Sequence, residues 1–374
     1  MRVLVVTYSP VVGGAELILL DFARGVDGEV VLANPSGPLV DRAVEAGLGV
    51  HPLTHRRRQL RATLRDRVAG PFRLAGHARE IRSAVRAVAP DVVVGWGLRS
   101  ALAGRAATWG DGARFIFQHN DLLPGPAIGV LARAMSRRAD AVSVLSRTIA
   151  DDLDPSGRLG TRLQVVRPGV DLDRFAATSP PPSEPRALLL GAIASWKRPD
   201  LALEIVARAA DRVPDIRLVV AGQPIDAEGE DLLRRLRKRA DEPDLAGRVE
   251  FRGWTDDTAR ALQEATCLLH CSDREPLGLV LMEALASGRP VVAPAAGGPK
   301  ELIDERVGRL YPPGDAAAGA DALAAVVGTP GLAESLGRAA RERAAGEFGQ
   351  MDARRRFGQL VQEVATFATL SQGR

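Results

Sequence analysis

Ala265-Thr-Cys-Leu-Leu-His270 is an apolar run of strand length. After four intervening residues comes Glu275-Pro-Leu-Gly-Leu-Val-Leu-Met-Glu283-Ala-Leu-Ala-Ser-Gly288, a helix-length pattern, and then Pro290-Val-Val-Ala293, a second strand-length run. Strand, helix and strand in this order form a βαβ unit, the building block of a parallel sheet. Pro276 suits the first turn of the helix and Gly288 its C-terminal cap.

Working outward, the same alternation fills the chain. Candidate strands of the first half are Arg2–Thr7, Glu29–Ala33, Val50–Leu53, Asp91–Gly95, Phe115–Gln118, Ala141–Leu145 and Leu163–Arg167. Those of the second half are Ala187–Gly191, Arg217–Ala221, Val249–Arg252, Ala265–His270 and Pro290–Ala293. Between them lies Ala177-Thr-Ser-Pro-Pro-Pro-Ser-Glu-Pro-Arg186, whose four prolines stop any helix or central strand and mark a linker. The expected organisation is α/β with two facing Rossmann-like domains, parallel sheets and an interdomain cleft. Residues 1–180 form the first domain and 181–348 the second, with a C-terminal helix over 349–374 packing back on the first.

Composition agrees with this scale. At 374 residues, 46% hydrophobic and 26% charged, the chain is neither fibrous, disordered nor disulfide-stapled, and its length fits two domains. The 50 basic residues against 46 acidic ones give +4, but only Lys197, Lys238 and Lys300 are lysines. A basic balance made of arginine in an arginine-rich protein says little about nucleic acid, and no helix-turn-helix, zinc or RNP-like pattern occurs. Cys267 and Cys271 lie in or beside an apolar run and read as buried core thiols of a reducing compartment. Met1-Arg2 leads directly into the first strand, and no apolar run nears the roughly 18–20 residues of a membrane span, so a cytoplasmic location is expected.

In open parallel sheets ligands bind beyond the carboxyl ends of the strands, so the residues just after each strand carry the chemistry. Glu275 and Glu283 are eight residues apart, about 12 Å along a helix at 1.5 Å per residue. That exceeds the roughly 5–9.5 Å of a hydrolytic carboxylate pair. It suits two diol-bearing groups joined by a diphosphate, with the helix N-terminus holding the phosphates. A second phosphate-friendly turn is Ala296-Gly-Gly-Pro-Lys-Glu301, and a third is Gly13-Gly14-Ala15-Glu16 after the first strand. The latter is not a dinucleotide fingerprint, because it lacks G-x-G-x-x-G and the second strand ends in Asn34-Pro35 rather than an acid. Lys197, just after the first strand of the second half, can neutralise a leaving diphosphate, with Arg198 as helper. His119 ends a strand of the first half and faces the cleft, where it reads equally as catalytic or structural.

Together these residues resemble the retaining nucleotide-sugar glycosyltransferases of family four, which have the GT-B fold of two Rossmann-like domains. The matching pieces are Gly13-Gly14-Ala15-Glu16, Gln118-His119-Asn120-Asp121, Ala139–Ser146, Arg167–Phe175, Lys197, Val220–Gln223, Phe251–Gly253 and the Glu-x7-Glu run from Glu275 to Glu283. The resemblance implies that Glu283 binds the ribose and Glu275 the donor sugar. Gly278, Leu279 and Val280 offer backbone contacts, and Lys197 and the Gly14 amide meet the diphosphate. Trp254 or Thr255 contacts the base, and His119 lies near the donor sugar on the acceptor side. The donor is a UDP- or GDP-linked sugar. The acceptor is a glycan, a lipid-linked group or a small molecule, and neither cofactor nor metal is required. Transfer retains the anomeric configuration, the leaving phosphate taking the acceptor proton. Two departures stand out. Ala192 replaces the family's usual Arg, so half of the cationic pair on the diphosphate is missing, and Pro168 replaces a common Asn.

Ten arginines crowd residues 56–86 against Asp66 and Glu80. Arg56, Arg57, Arg58 and Arg61 are read as a grip for an anionic acceptor or an acidic membrane surface, or else as a solvated arginine-rich face. Two rival readings accompany the transferase. One is a protein of the same fold that binds a sugar nucleotide with weak or no turnover, for which Ala192 speaks. The other is an inverting or epimerising enzyme.

Overall fold

The structure, a computed structural model, describes residues 1–9, 12–54, 64–108, 112–176, 180–182 and 184–372, without the side chains of 64–75 and 367–372. The chain divides into two α/β units, the first comprising Met1–Gly169 with Gln350–Arg374 and the second Val170–Gly349.

The first unit runs β1 (Arg2–Val6), α1 (Gly14–Ala23), β2 (Glu29–Pro35), α2 (Pro38–Glu45), β3 (Gly49–Leu53), α3 (Leu64–Val88), β4 (Val92–Trp96), α4 (Leu98–Ala107), β5 (Arg114–His119), α5 (Pro126–Arg138), β6 (Ala141–Val144), α6 (Arg147–Leu153) and β7 (Leu163–Val165). All seven strands pair in parallel in the order β3-β2-β1-β4-β5-β6-β7. Val3, Leu4, Val5 and Val6 of β1 are all buried, as a strand covered on both faces requires. The order reverses between β1 and β4, so the turns after these two strands flank the crevice where such sheets bind ligands.

The second unit runs β8 (Arg186–Leu190), α7 (Pro199–Ala209), β9 (Arg217–Ala221), α8 (Ala227–Ala240), β10 (Val249–Gly253), α9 (Thr258–Gln263), β11 (Cys267–Leu269), α10 (Leu279–Ala286), β12 (Val291–Pro294), α11 (Pro299–Leu302), β13 (Gly308–Tyr311), α12 (Ala316–Gly328) and α13 (Leu332–Glu347). Its six strands pair in the order β10-β9-β8-β11-β12-β13, again all parallel. The switch point here lies between β8 and β11. Leu188, Leu218, Val220, Leu269 and Val292 fill the middle of this sheet, and Cys267 and Cys271 are both fully buried and free. Desolvation pushes each thiol up to about 12.

Each expected strand corresponds to an observed one. β13 was not anticipated, being four residues with Arg309 in its middle. Buried Tyr311 anchors it by donating from its hydroxyl to the His270 carbonyl at 2.9 Å. The helix α14 (Gln350–Gln372) belongs to the first unit, where Arg354 meets Asp21 of α1 at 2.6 Å and Phe357 stacks on Phe22 with ring centres 4.7 Å apart.

The boundary falls at Gly169/Val170 rather than residue 180. Hydrogen bonding explains the difference. The Val170 amide donates to the Phe348 carbonyl at 2.8 Å, and Arg341 donates to the carbonyls of Leu172 and Phe175 at 2.9 and 3.4 Å, so residues 170–176 are tied to the second unit before the prolines begin.

Candidate functional site

In the second unit the switch point brings together two loops that are distant in sequence. Beyond β8, a single 3-10 turn (Ser195–Lys197) ends in Lys197, whose Nζ lies 2.6 Å from Glu275 Oε2 in the loop beyond β11. His270, the residue after β11, places its Nε2 3.4 Å from the same oxygen. Glu275 is 7% exposed. Burial works against its charge, but His270 and the Lys197 ammonium outweigh it and hold the carboxyl down at about 2. Arg198 follows in the left-handed conformation, φ 50°, and begins α7. It donates to Asp273 at 2.8 Å and to Asp200 at 3.2 Å, so each of the two expected diphosphate cations has a carboxylate partner.

The helix between the two glutamates is shorter than the sequence suggests. It begins at Leu279, with Gly278 as its N-terminal cap at φ 91°, so Pro276 lies outside it and the rise-per-residue spacing from Glu275 does not apply. Glu275 is a loop residue, and Glu283 is the fifth residue of α10. The helix supplies no acceptor for the N–H groups of Leu279 and Val280, which are the amides open to an anion. Burial pushes Glu283 up to about 7, against the opposing influence of Arg174. Arg174 also donates to the Asp256 carbonyl at 3.4 Å, and Asp256 accepts from Trp254 Nε1 at 2.8 Å. These links join the Trp254-Thr255 turn, where Trp254 is 61% exposed, to the surroundings of Glu283.

The turn at Gly297-Gly298 is a packing device in this structure. Gly297 has φ 61°, and a Cβ there would stand 2.3 Å from the Glu275 carbonyl oxygen; one on Gly298 would stand 2.1 Å from that of Leu277. The Gly298 amide donates to the Glu275 carbonyl at 2.8 Å. The two glycines therefore wedge the 275–277 backbone in place, and the helix that follows them is only four residues long.

In the first unit His119 closes β5 and is 5% exposed. Burial lowers its imidazole to about 4, with Asp152 opposing, so the ring is neutral near pH 7. Its Nε2 is buried and meets no hydrogen-bond partner among the described residues. Beyond β1, the Gly13 amide donates to Glu16 Oε2 at 3.0 Å, whereas a Cβ on Gly14 would touch nothing within 4 Å. Gly14 opens α1, and its amide is among those the helix leaves unpaired. Asn34, at the end of β2, is fully buried and donates to the Pro35 carbonyl at 3.0 Å, in keeping with the absence of a ribose-binding acid there. Arg56, Arg57, Arg58 and Arg61 lie outside the described residues. Farther along the same arginine-rich stretch, Arg82 donates to the carbonyls of Ala106 and Ala107 at 3.2 and 3.3 Å and so finishes α4.

His270, Asp273 and Arg174 escaped the sequence reading. His270 is hidden at the end of an apolar run. The other two look like ordinary loop charges until their partners are seen.

Comparison with known proteins identifies the family. Residues 19–169 match the family model of the glycosyl transferase 4-like domain and residues 173–343 that of glycosyl transferases group 1. A D-inositol 3-phosphate glycosyltransferase of Mycobacteroides abscessus is 34% identical over 242 residues, 60% of this chain and 52% of the relative. One from Kribbella flavida is 35% identical over 209 residues, 51% and 48% of the two chains. The chain thus spans about half the length of the curated relatives it matches. Among solved structures, Anabaena HepE in complex with UDP superposes with a TM-score of 0.82 at 19% identity, over 97% of this chain and all of that one. The same protein has been solved with UDP-glucose, with a TM-score of 0.80. Two family models that between them take in both units, and a solved structure that takes in nearly the whole fold, lead to one conclusion: the chain belongs to the family-four glycosyltransferases of GT-B fold.

Proposed function

We propose that the protein moves a sugar from a nucleoside-diphosphate sugar to an acceptor hydroxyl with retention of anomeric configuration and without a metal ion. The observation that carries this reading is Glu275, a nearly buried carboxylate held ionised by Lys197 and His270 at a sheet switch point. A charge kept in so dry a place is suited to sugar hydroxyls, which donate hydrogen bonds to it. Lys197 then has a second task on the donor diphosphate, supported by the amides of Leu279 and Val280 at the α10 terminus. Arg198 assists if it exchanges a carboxylate for phosphate. Glu283 accepts from the ribose hydroxyls, and the base meets Trp254 or Thr255. As the bond from the sugar's anomeric carbon to the phosphate oxygen breaks, the acceptor oxygen bonds to that carbon on the same face. The acceptor's proton passes to the departing phosphate. Neutral His119 is suited to hydrogen-bond a sugar hydroxyl at the acceptor side.

A uridine donor is favoured by the UDP and UDP-glucose complexes of HepE. A phosphorylated cyclitol is the first acceptor to try, given the names of the curated relatives. A thermal-shift series with UDP-glucose, UDP-N-acetylglucosamine and GDP-mannose tests the donor. Selective stabilisation by a UDP-sugar, lost in Glu283→Ala, is expected; equal shifts in the variant would place the ribose elsewhere. NMR of the product anomer tests retention.

A second reading has its own observation. Ala192 supplies no cation, and Lys197 and Arg198 are each paired with carboxylates. A protein so arranged can hold a sugar nucleotide with little turnover. Nucleotide binding with neither donor hydrolysis nor transfer would favour it.

A further inference from the structure

The described surface of the first unit carries an apolar patch that the transferase reading does not use. On α5, Ile128, Val130 and Leu131 are 41%, 67% and 41% exposed, within a single turn. Gly129, Ala132, Met135 and Ser136 form the buried side of the helix. At 100° per residue the outward side therefore runs from Ala127 through Val130 and Leu131 to Ala134 and ends on Arg137 and Arg138, both exposed. The turns before the helix add Leu122 and Pro124, so the apolar strip begins in the loop that leaves His119.

The charge around this strip identifies its partner. α5 contains three arginines and no acid, and α4 beside it contains two and no acid. α3 packs on α4 in turn, and across the three helices eleven arginines face only Asp66 and Glu80 in sequence. The carbonyls of Arg137 and Arg138 accept from Arg162 and Arg105 at 3.2 and 2.9 Å, which fixes the basic end of α5. α6, which also packs on α5, carries Asp151 and Asp152 beside Arg147, so the basic surroundings of the strip are those formed by α4, α3 and the C-terminal end of α5. An aliphatic strip ending in such a basic surface has the composition of an interfacial helix that lies in the headgroup layer of an anionic bilayer.

We propose that α5 docks the protein on anionic membranes, with Val130 and Leu131 entering the acyl boundary and Arg137 and Arg138 engaging lipid phosphates. The six-residue loop Asn120–Gly125 then carries His119 close to the membrane surface. An acceptor borne on a lipid would be within reach of that end of the sheet. The docking itself does not depend on the transferase reading.

The test is sedimentation of the full chain with vesicles of phosphatidylcholine alone and of phosphatidylcholine with about one third phosphatidylglycerol. Sedimentation is expected only with the anionic vesicles, weakened by salt. Val130→Glu/Leu131→Glu should cut the bound fraction at least ~10-fold, and Arg137→Glu/Arg138→Glu should do so at low salt. Both pairs are exposed, and a melting temperature within a few degrees of the parent would show that folding is intact. Wild-type protein left in the supernatant would overturn the proposal, as would sedimentation unchanged by Val130→Glu/Leu131→Glu. So would a wild-type dimer in light scattering that this variant converts to monomer, because the face would then belong to a second copy.

Discussion

Glu275 and His119 occupy similar places, each at or just beyond the carboxyl end of a strand and each nearly buried, yet one is charged and the other neutral. Burial opposes charge in both. At Glu275 an ammonium at 2.6 Å and an imidazole at 3.4 Å reverse the effect, whereas at His119 the influence of Asp152 is too weak to do so. The difference leaves the two sheet ends electrostatically distinct. The second unit holds an ion-paired carboxylate there, and the first an uncharged imidazole whose Nε2 has no hydrogen-bond partner among the described residues.

The comparison breaks most completely if that ion-paired carboxylate loses its backbone support. Gly298→Ala places a methyl about 2 Å from a carbonyl oxygen, by the Leu277 distance above, and should displace the Glu275 loop. Nucleotide-sugar affinity measured by calorimetry is expected to fall more than ~100-fold, a loss of roughly 2.7 kcal/mol or more.

Glu275→Gln tests the charge itself. A carboxyl held at about 2 in the folded state, below its ordinary 4.5, contributes stability present above pH 4.5 and lost as pH falls toward 2. The variant should be on the order of 2–3 kcal/mol less stable in urea at pH 7, and the gap should close near pH 2. An unchanged midpoint at pH 7 would mean that the Lys197 pair adds nothing to folding.

Glu283 sharpens the contrast, because in the same unit it behaves as His119 does. With its carboxyl pushed up to about 7, it is mostly protonated at pH 6 and mostly ionised at pH 8. UDP-glucose affinity should therefore rise up to ~10-fold over that interval, and Glu283→Gln should flatten the profile. The smallest effect on donor binding belongs to the first unit: His119→Asn should leave nucleotide affinity within about two-fold while lowering transfer to the acceptor. A large loss of nucleotide affinity would erase the distinction between the units.

The strands were legible because parallel strands covered on both faces are written as unbroken apolar runs, as in Val3–Val6 and Leu218–Ala221. β13 was not, since it is a four-residue edge strand with Arg309 in its middle, paired to β12 and anchored by Tyr311 reaching the His270 carbonyl. Glu275, Glu283 and Lys197 were recognisable as residues, but the pairing of Lys197 with Glu275 was not. These two are 78 residues apart, and only the order β8-β11 makes them neighbours. The packing role of the Gly-Gly turn at 297–298 was not legible, because small residues suit an anion and a neighbouring carbonyl equally well. Likewise, Pro276 and Gly278 both suit a helix start, and it is the positive φ of Gly278 that places it.

Cys267 and Cys271 give the second unit a clock of its own. Both thiols are sealed in its core, and they are the only two cysteines in the chain. A thiol reagent added to the native protein can therefore react only when that unit opens, and the labelling rate reads the opening equilibrium directly. A nucleotide sugar that binds the closed form should slow labelling by one plus its concentration over its Kd. Domain-specific affinity could thus be measured on the unmodified protein, without a fluorophore and without turnover.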